Sequence, residues 1–135
     1  MGRITRGVGV SFSLLILISS LHISSEASSS PRSFVRKTVS SNRIVIFSKS
    51  FCPFCRRAKA VFQQLNRTPY VVELDQRDDG ADIQDALQQL FGRRTVPQVF
   101  INGKHLGGSD DTVEAYENGE LAKLLENIPE EEHEL

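Results

Sequence analysis

The stretch RIVIFSKSFCPFCRRAKAVFQQL, from Arg43 to Leu65, contains both cysteines of the chain, Cys52 and Cys55. It begins with a short run of β-branched and aromatic apolar residues, which is typical of a buried strand. After the cysteines, apolar residues recur at helical spacing, and Pro53 stands at the first-turn position that proline tolerates. The stretch therefore predicts a strand that leads directly into a helix, with the cysteine pair at the start of that helix.

The next segments extend this pattern into a parallel unit. YVVEL, from Tyr70 to Leu74, predicts a second strand. Apolar residues from Ile83 to Phe91 then recur at helical spacing, and Gly92 marks the end of the predicted helix. A strand, a crossover helix and a second strand form a right-handed parallel unit.

The second half of the domain predicts antiparallel pairing. PQVFI and KHLGG lie on either side of Asn102-Gly103, a dipeptide whose residues accept positive φ and close a tight hairpin. Two helical segments, 112–119 and 121–128, follow, with Ser109 or Asp110 as the expected N-cap. We therefore expect an α/β fold in which a four-stranded mixed sheet is flanked by helices.

Length and composition indicate one domain with terminal extensions. The chain has 135 residues, 39% hydrophobic and 24% charged, and a formal net charge of -1. This balance gives no reason to expect nucleic acid as a partner. We divide the chain into a signal peptide at 1–27, a serine-rich basic linker at 28–41, a globular domain at 42–128 and an acidic tail at 129–135.

The N-terminal end has the layout of a secretory signal peptide. Arg3 and Arg6 precede an apolar run from Val8 to Ile23, and small residues follow up to Ala27. We expect cleavage after Ala27 and a mature protein in the lumen of the endoplasmic reticulum or Golgi, or outside the cell. The alternative is that the uncharged residues 7–25 stay in place as a membrane anchor.

Two weaker motifs also bear on the compartment. The last four residues, EHEL, resemble an H-D-E-L retention signal only in part. Asn66-Arg67-Thr68 matches an N-glycosylation sequon, and Pro69 follows it directly. Neither motif identifies the compartment.

The cysteine pair allows three interpretations. A disulfide between Cys52 and Cys55 would close too small a loop to stabilise the fold much. A zinc site needs four ligands, and the histidines outside the predicted signal peptide are His105 and His133. A redox pair fits best, because unpaired backbone amides at a helix N-terminus and a nearby cation, Lys49, stabilise a thiolate.

The positions of the two cysteines predict their roles. Cys52, at the start of the helix, should have the lowered pKa and act as the nucleophile. Cys55 lies one turn later on the same helix face, where it either resolves a mixed disulfide formed on Cys52 or remains a bystander. A C-x-x-C motif beside a strand–helix–strand pattern is a specific redox signal.

A second landmark is RTVPQVFI, in which Pro97 stands at the start of a strand. A cis peptide bond can occur at such a position, and it would present the backbone of Val96 to an incoming chain. An ordinary trans proline on an edge strand is the alternative.

CPFC, RTVPQVFI and GGSDD, in this order and with Lys49 three residues before the first cysteine, resemble the motifs of the dithiol glutaredoxins of the thioredoxin superfamily. The resemblance covers roughly residues 40–128. It implies a thioredoxin-like fold. It also implies glutathione-dependent reduction of protein disulfides, above all of protein–glutathione mixed disulfides.

The resemblance also implies a role for each matching residue. Cys52 corresponds to the family's nucleophile, Cys55 to its resolving cysteine and Pro97 to its cis-proline. Phe54 stands where many relatives carry tyrosine, and its ring should still lie against the glutathione site. The remaining glutathione contacts implied are Lys49 and Gln84 for the glycyl carboxylate, Thr95 and Val96 for the cysteinyl backbone, and Asp110 and Asp111 for the γ-glutamyl end. Of the two aspartates Asp111 matches the family's ligand better, and a plain helix cap is the alternative role for either.

Two rival functions are kept open. One is a secretory-pathway disulfide oxidase or isomerase, which the signal peptide favours and the glutathione-site residues do not. The other is a dimer that shares an iron–sulfur cluster through the first cysteine and glutathione. Pro53 resembles the family members that usually lack the cluster, so we expect a monomer without metal, with glutathione and disulfide-bonded client proteins as partners.

Overall fold

The computed structural model describes Gly2 and residues 29–126. Apart from Gly2, the predicted signal peptide lies outside the described residues, as does the acidic tail. The elements, in chain order, are α1 (Pro31–Ser41), β1 (Ile44–Ser48), α2 (Pro53–Gln64), β2 (Tyr70–Glu73), a 3-10 turn (Leu74–Gln76), α3 (Gly80–Phe91), β3 (Gln98–Ile101), β4 (Lys104–Gly107), α4 (Ser109–Glu117) and α5 (Glu120–Leu125).

The four strands form one mixed sheet in the order β2-β1-β3-β4. β1 pairs with β2 in parallel, with Val45 opposite Tyr70, and pairs with β3 antiparallel, with Val45 opposite Phe100. β3 and β4 are antiparallel and are joined by the predicted hairpin, with Asn102 at φ 51° and Gly103 at φ 80°. The expected fold is confirmed.

The central strand β1 has hydrophobic cores on both faces, because successive side chains point to opposite sides of a sheet. Ile44 and Ile46 pack with α2, α4 and α5. Val45 and Phe47 pack with α1 and α3. All five residues of β1 are buried, so its carboxyl end, which leads into the cysteine motif, is held firmly.

The sequence interpretation of residues 28–41 as a linker is wrong for most of that segment, which forms helix α1. Ser30 is the N-cap, and its hydroxyl accepts a hydrogen bond of 3.2 Å from the N–H of Ser33. Pro31 begins the helix, and Val35 and Val39 are buried against α3 and β1. The folded domain therefore begins at α1, before residue 42.

Several element boundaries also differ from the predictions. Leu74, expected to end the second strand, instead begins the 3-10 turn. α4 begins at Ser109, before the predicted residue 112, and its N-cap is Gly108, one residue before Ser109 and two before Asp110. The apolar run of the N-terminal segment lies outside the described residues, and within those residues no helix is long and apolar enough to cross a membrane.

Candidate active site

The two cysteines lie where β1 ends and α2 begins. Cys52 is the N-cap of α2 and is partly exposed, whereas Cys55 is fully buried one turn later. The N–H of Cys52 donates to the carbonyl of Lys49 at 3.1 Å, which closes a tight turn before the helix. Both cysteines carry free thiols.

The surroundings shift the pKa values of the two thiols in opposite directions. Burial opposes ionisation of Cys52, but hydrogen bonds from the backbone and thiol of Cys55 and from the backbone of Phe54, together with the charge of Arg56, lower the pKa of Cys52 overall. Burial raises the pKa of the Cys55 thiol, although the N–H of Lys49 lies 3.5 Å from its sulfur. The predicted asymmetry, with Cys52 as the more acidic thiol, is confirmed.

The charge of Arg56 acts on Cys52, a contribution that the sequence assigned to Lys49. Arg56 lies in the first turn of α2. The pKa of Asp75 is lowered chiefly by two hydrogen bonds from Ser50, and the charge of Lys49 lowers it further. Asp75 accepts these bonds from the N–H of Ser50 at 2.9 Å and from its hydroxyl, so it holds the turn that precedes Cys52.

An open cavity of about 420 Å³ lies beside the start of α2, between the loop before β3 and the start of α4. Six of the ten residues implied by the resemblance line it; the other four, Lys49, Cys52, Cys55 and Gln84, are not among the lining residues. The phenyl ring of Phe54 is 60% exposed there, in keeping with its expected position. The lining residues are Phe54, Arg93, Thr95, Val96, Pro97, Gly108, Ser109, Asp110 and Asp111.

The loop before β3 contains the expected cis peptide bond between Val96 and Pro97. Two buried glutamine side chains, those of Gln98 and Gln84, donate hydrogen bonds to the backbone of this loop. Gln98 donates to the carbonyl of Arg93 at 2.7 Å and to that of Thr95 at 3.0 Å. These bonds fix the backbone that borders the cavity.

Gln84 occupies a different place from the one expected for a glutathione ligand. Its side chain is only 7% exposed, and its amide donates to the carbonyl of Arg94 at 3.0 Å. In this structure Gln84 therefore supports the loop from within the protein. It acts on the cavity through the backbone of the loop.

The two aspartates at the start of α4 have separate surroundings. Asp111 accepts a hydrogen bond of 2.8 Å from the N–H of Gly108 and one of 3.2 Å from Arg93, and both interactions lower its pKa. Asp110 has a side chain that is 91% exposed and forms an ion pair of 2.7 Å with Arg57 of α2. Asp111 thus caps the helix, while Asp110 faces solvent.

Sequence reasoning missed three lining residues, Arg93, Gly108 and Ser109. Gly108 and Ser109 belong to the GGSDD motif, in which only the two aspartates were predicted to contact a ligand. Arg93 directly precedes Arg94 in a pair with no distinguishing pattern, so nothing in the sequence separated the two.

Comparisons with known proteins agree with this geometry. The Glutaredoxin family model matches residues 44–106. Glutaredoxin-C4 of Arabidopsis thaliana is 62% identical over 121 residues, which cover 89% of this chain and 90% of that protein. The crystal structure of oxidized glutaredoxin 2 from Chlamydomonas reinhardtii is 48% identical with a TM-score of 0.68, covering 70% of this chain and 90% of that one.

The crystal structure of a buckwheat glutaredoxin–glutathione complex is 45% identical with a TM-score of 0.69, and the match covers 70% of this chain and 86% of that one. With its cysteine pair at a helix start, its cis-proline and this degree of identity, the chain belongs to the glutaredoxin family of glutathione-dependent thiol–disulfide oxidoreductases.

Proposed function

We propose that this chain reduces protein–glutathione mixed disulfides through Cys52. The opposite pKa shifts of Cys52 and Cys55 carry the proposal, because they make the partly exposed Cys52 thiol the easier of the two to ionise and disfavour ionisation of the buried Cys55 thiol. The Cys52 thiolate attacks the glutathione sulfur of the mixed disulfide. A new bond between Cys52 and glutathione forms, and the client sulfur leaves as a thiolate.

A second glutathione completes the cycle. Its thiolate attacks the glutathione sulfur bound to Cys52, so that glutathione disulfide leaves and the Cys52 thiolate is restored. The overall reaction converts one mixed disulfide and one glutathione into a client thiol and glutathione disulfide. The sulfur of the second glutathione is oxidised, the client sulfur is reduced, and no other reductant is needed.

We propose that the cavity beside α2 binds the glutathione moiety. Its walls combine the peptide edge of Thr95 and Val96 with the charged start of α4, which suits a tripeptide with charged ends. The relative from buckwheat was solved in complex with glutathione. Phe54, two residues after Cys52, supplies an apolar wall of the cavity.

For protein disulfides, Cys55 has the resolving role. After Cys52 forms a mixed disulfide with a client, Cys55 loses its proton and attacks the Cys52 sulfur, which releases the client and leaves a Cys52–Cys55 disulfide. Because burial raises the pKa of Cys55, this second attack is expected to be slower than the first.

Two serine variants test both assignments. Cys52→Ser should abolish release of glutathione from a glutathionylated peptide. Cys55→Ser should retain that activity and lose reduction of an intramolecular protein disulfide such as that of insulin. If wild-type protein reduces or isomerises insulin efficiently but releases no glutathione, the protein is instead a disulfide oxidase or isomerase.

We further propose that the chain acts as a monomer without an iron–sulfur cluster, which the proline after Cys52 supports. Protein purified without oxygen should be colourless and should elute at the mass of one chain. Visible absorption together with a dimeric mass would reverse this proposal.

Residues 1–27 are proposed to direct the chain to the secretory pathway and then to be removed. The charge and apolar pattern of that segment support this hypothesis. Sequencing the N-terminus of protein isolated from cells should give a chain that begins at Ser28. An intact N-terminus in a membrane fraction would support anchoring by residues 7–25 instead.

A further inference from the structure

Ser48 is the last residue of β1, and its side chain is fully buried. Successive side chains of a strand alternate between the two faces of the sheet, so Ser48 shares a face with Ile46, which packs against α2. The hydroxyl oxygen of Ser48 is buried and has no hydrogen-bond partner among the described residues. Such a group is unusual, because it loses its bonds to water on folding and gains none in return.

The thiol of Cys55 lies next to this hydroxyl. Cys55 is fully buried, and the N–H of Lys49, the residue after Ser48, lies 3.5 Å from its sulfur. Burial has the largest effect on the pKa of Cys55 and raises it, whereas the N–H of Lys49 and the side chain of Ser48 lower it. A neutral thiol is a weak acceptor, and a thiolate is a strong one. The hydroxyl of Ser48 therefore gains a good acceptor when Cys55 ionises.

Two further ionisable side chains lie on this face of the sheet. Glu73 lies opposite Ser48 in the pairing of β1 with β2, and one of its carboxylate oxygens forms an ion pair with Lys59 of α2. Lys59 is four residues after Cys55 and lies on the same side of that helix. Because the two opposite charges are paired, their combined effect on a thiolate at Cys55 is small. The other oxygen of Glu73 is buried without a partner, so it is the alternative acceptor for the hydroxyl of Ser48.

We propose that Ser48 is a positioning residue for the resolving step, in which its hydroxyl donates a hydrogen bond to the thiolate of Cys55. This inference rests on the resolving role proposed for Cys55. The S–H proton of Cys55 is lost to solvent, the Cys55 sulfur bonds to the Cys52 sulfur, and the client sulfur leaves as a thiolate. The cysteine pair is oxidised and the client is reduced, so the step needs no other reductant. Cys52 has no proton in the mixed disulfide, so its own thiol does not compete for this hydrogen bond.

Replacement of Ser48 by alanine in the full chain tests this role. With a thionitrobenzoate group bound to Cys52 as a coloured reporter, release of that group measures the attack by Cys55. Ser48→Ala should raise the pH midpoint of release by about one pH unit, because a hydrogen bond to a charged group is lost. A smaller fraction of Cys55 is then ionised at neutral pH, but a sulfur of higher pKa is a stronger nucleophile. Release should therefore slow by roughly threefold.

The pH dependence separates this role from a purely structural one. The difference in rate between wild type and Ser48→Ala should shrink as the pH rises through the two midpoints, because Cys55 is then ionised in both proteins. A misplaced sulfur would instead slow release by the same factor at every pH, and that result would overturn the proposal. An unchanged midpoint would also overturn it, and would indicate that the hydroxyl serves Glu73.

The matched control is Thr38→Val. It removes a nearly buried hydroxyl from α1, which packs on the other face of the sheet. The midpoint of release should stay at the wild-type value in this variant. An equal shift in Thr38→Val and Ser48→Ala would show that loss of any buried hydroxyl has this effect, and the proposal would be wrong.

A titration without turnover distinguishes the failure of this inference from failure of the proposed function. In Cys52→Ser the ultraviolet absorbance of the thiolate reports the pKa of Cys55, and adding Ser48→Ala should raise it by about one pH unit. If wild type neither reduces insulin nor releases glutathione from a peptide but this shift is found, the proposed function is wrong and the contact of Ser48 with Cys55 stands. If wild type reduces insulin and the shift is absent, only the role of Ser48 falls.

Discussion

Helix α1 should contribute to the stability of the domain through the side chain of Val35. Val35 is 0% exposed and packs in the same core cluster as Val45 and Phe47 of β1 and Leu87 of α3. The substitution Val35→Ala removes two buried methyl groups without touching the site. It therefore tests directly whether the segment interpreted as a linker is part of the folded unit.

The expected loss follows from the burial of those groups. Transfer of two carbon groups from the core to water contributes roughly 1.6 kcal/mol at about 0.8 kcal/mol each. The space left behind adds to this, which gives a total of about 2–3 kcal/mol. Alanine forms helix more readily than valine, so a loss of stability reports lost packing and not lost helix propensity.

Urea unfolding of the full chain measures this loss. Val35→Ala should lower the midpoint while leaving the m-value unchanged, and Tm should fall by roughly 4–8 °C for each kcal/mol in a domain of this size. The control is Arg36→Ala, whose exposed side chain should matter by no more than about 0.5 kcal/mol. If both variants have the same stability, α1 lies outside the cooperative unit and its packing contributes little to the free energy of unfolding.

Three further predictions concern the site. The alkylation rate of Cys52 by iodoacetamide should rise with pH at a midpoint below that of free cysteine, and Arg56→Gln should raise that midpoint more than Lys49→Gln does; equal shifts would contradict the assignment of Arg56. Asp75→Asn should lower kcat/KM roughly two- to fivefold by loosening the turn held through Ser50, with Tm nearly unchanged; an unaltered kcat/KM would show that this turn needs no anchor. The pKa of Asp111 is lowered in the folded protein, so the unfolded chain takes up that proton first as pH falls. Stability should therefore decrease below about pH 4 and level off once the pH is below the native pKa. Asp111→Asn should reduce this slope in unfolding experiments across pH, and an identical slope would place the acid sensitivity elsewhere.

The strands and the cysteine motif could be predicted because their signals are local. β1 is a continuous apolar run, and the start of α2 is marked by Pro53 directly after Cys52. The hairpin depends on two residues that accept positive φ, Asn102 and Gly103. In each case the residues that give the signal are the ones that form the element.

Helix α1 was harder to recognise from the sequence, because its many serine and basic residues obscure the helical spacing of its few apolar residues. Serines and basic residues outnumber the two valines, Val35 and Val39, that the structure buries. Those valines are buried only because α3 and β1 meet at that point. The local signals were Ser30 as N-cap and Pro31 after it, which are weaker than the serine-rich character of the segment.

The roles of Gln84 and the two arginines depend on contacts between distant parts of the chain. Whether a glutamine on α3 reaches the cavity or the backbone of the loop is decided by how α3 packs on the sheet. Arg93 and Arg94 are identical in type and adjacent in sequence. They differ because Arg93 pairs with Asp111 at the start of α4, whereas Arg94 pairs with Asp85 of α3.

The charges at the cavity indicate what kind of ligand end fits there. Each carboxylate at the start of α4 is already paired with a guanidinium group, Asp110 with Arg57 and Asp111 with Arg93. A ligand with one charge alone would compete with one of these pairs and leave its partner without a counter-charge. A zwitterionic end can meet a guanidinium group with its carboxylate and a carboxylate with its ammonium group, so that every charge keeps an opposite neighbour. The γ-glutamyl end of glutathione has this pair of groups on one carbon, which is why the paired aspartates and arginines favour it over a simple thiol.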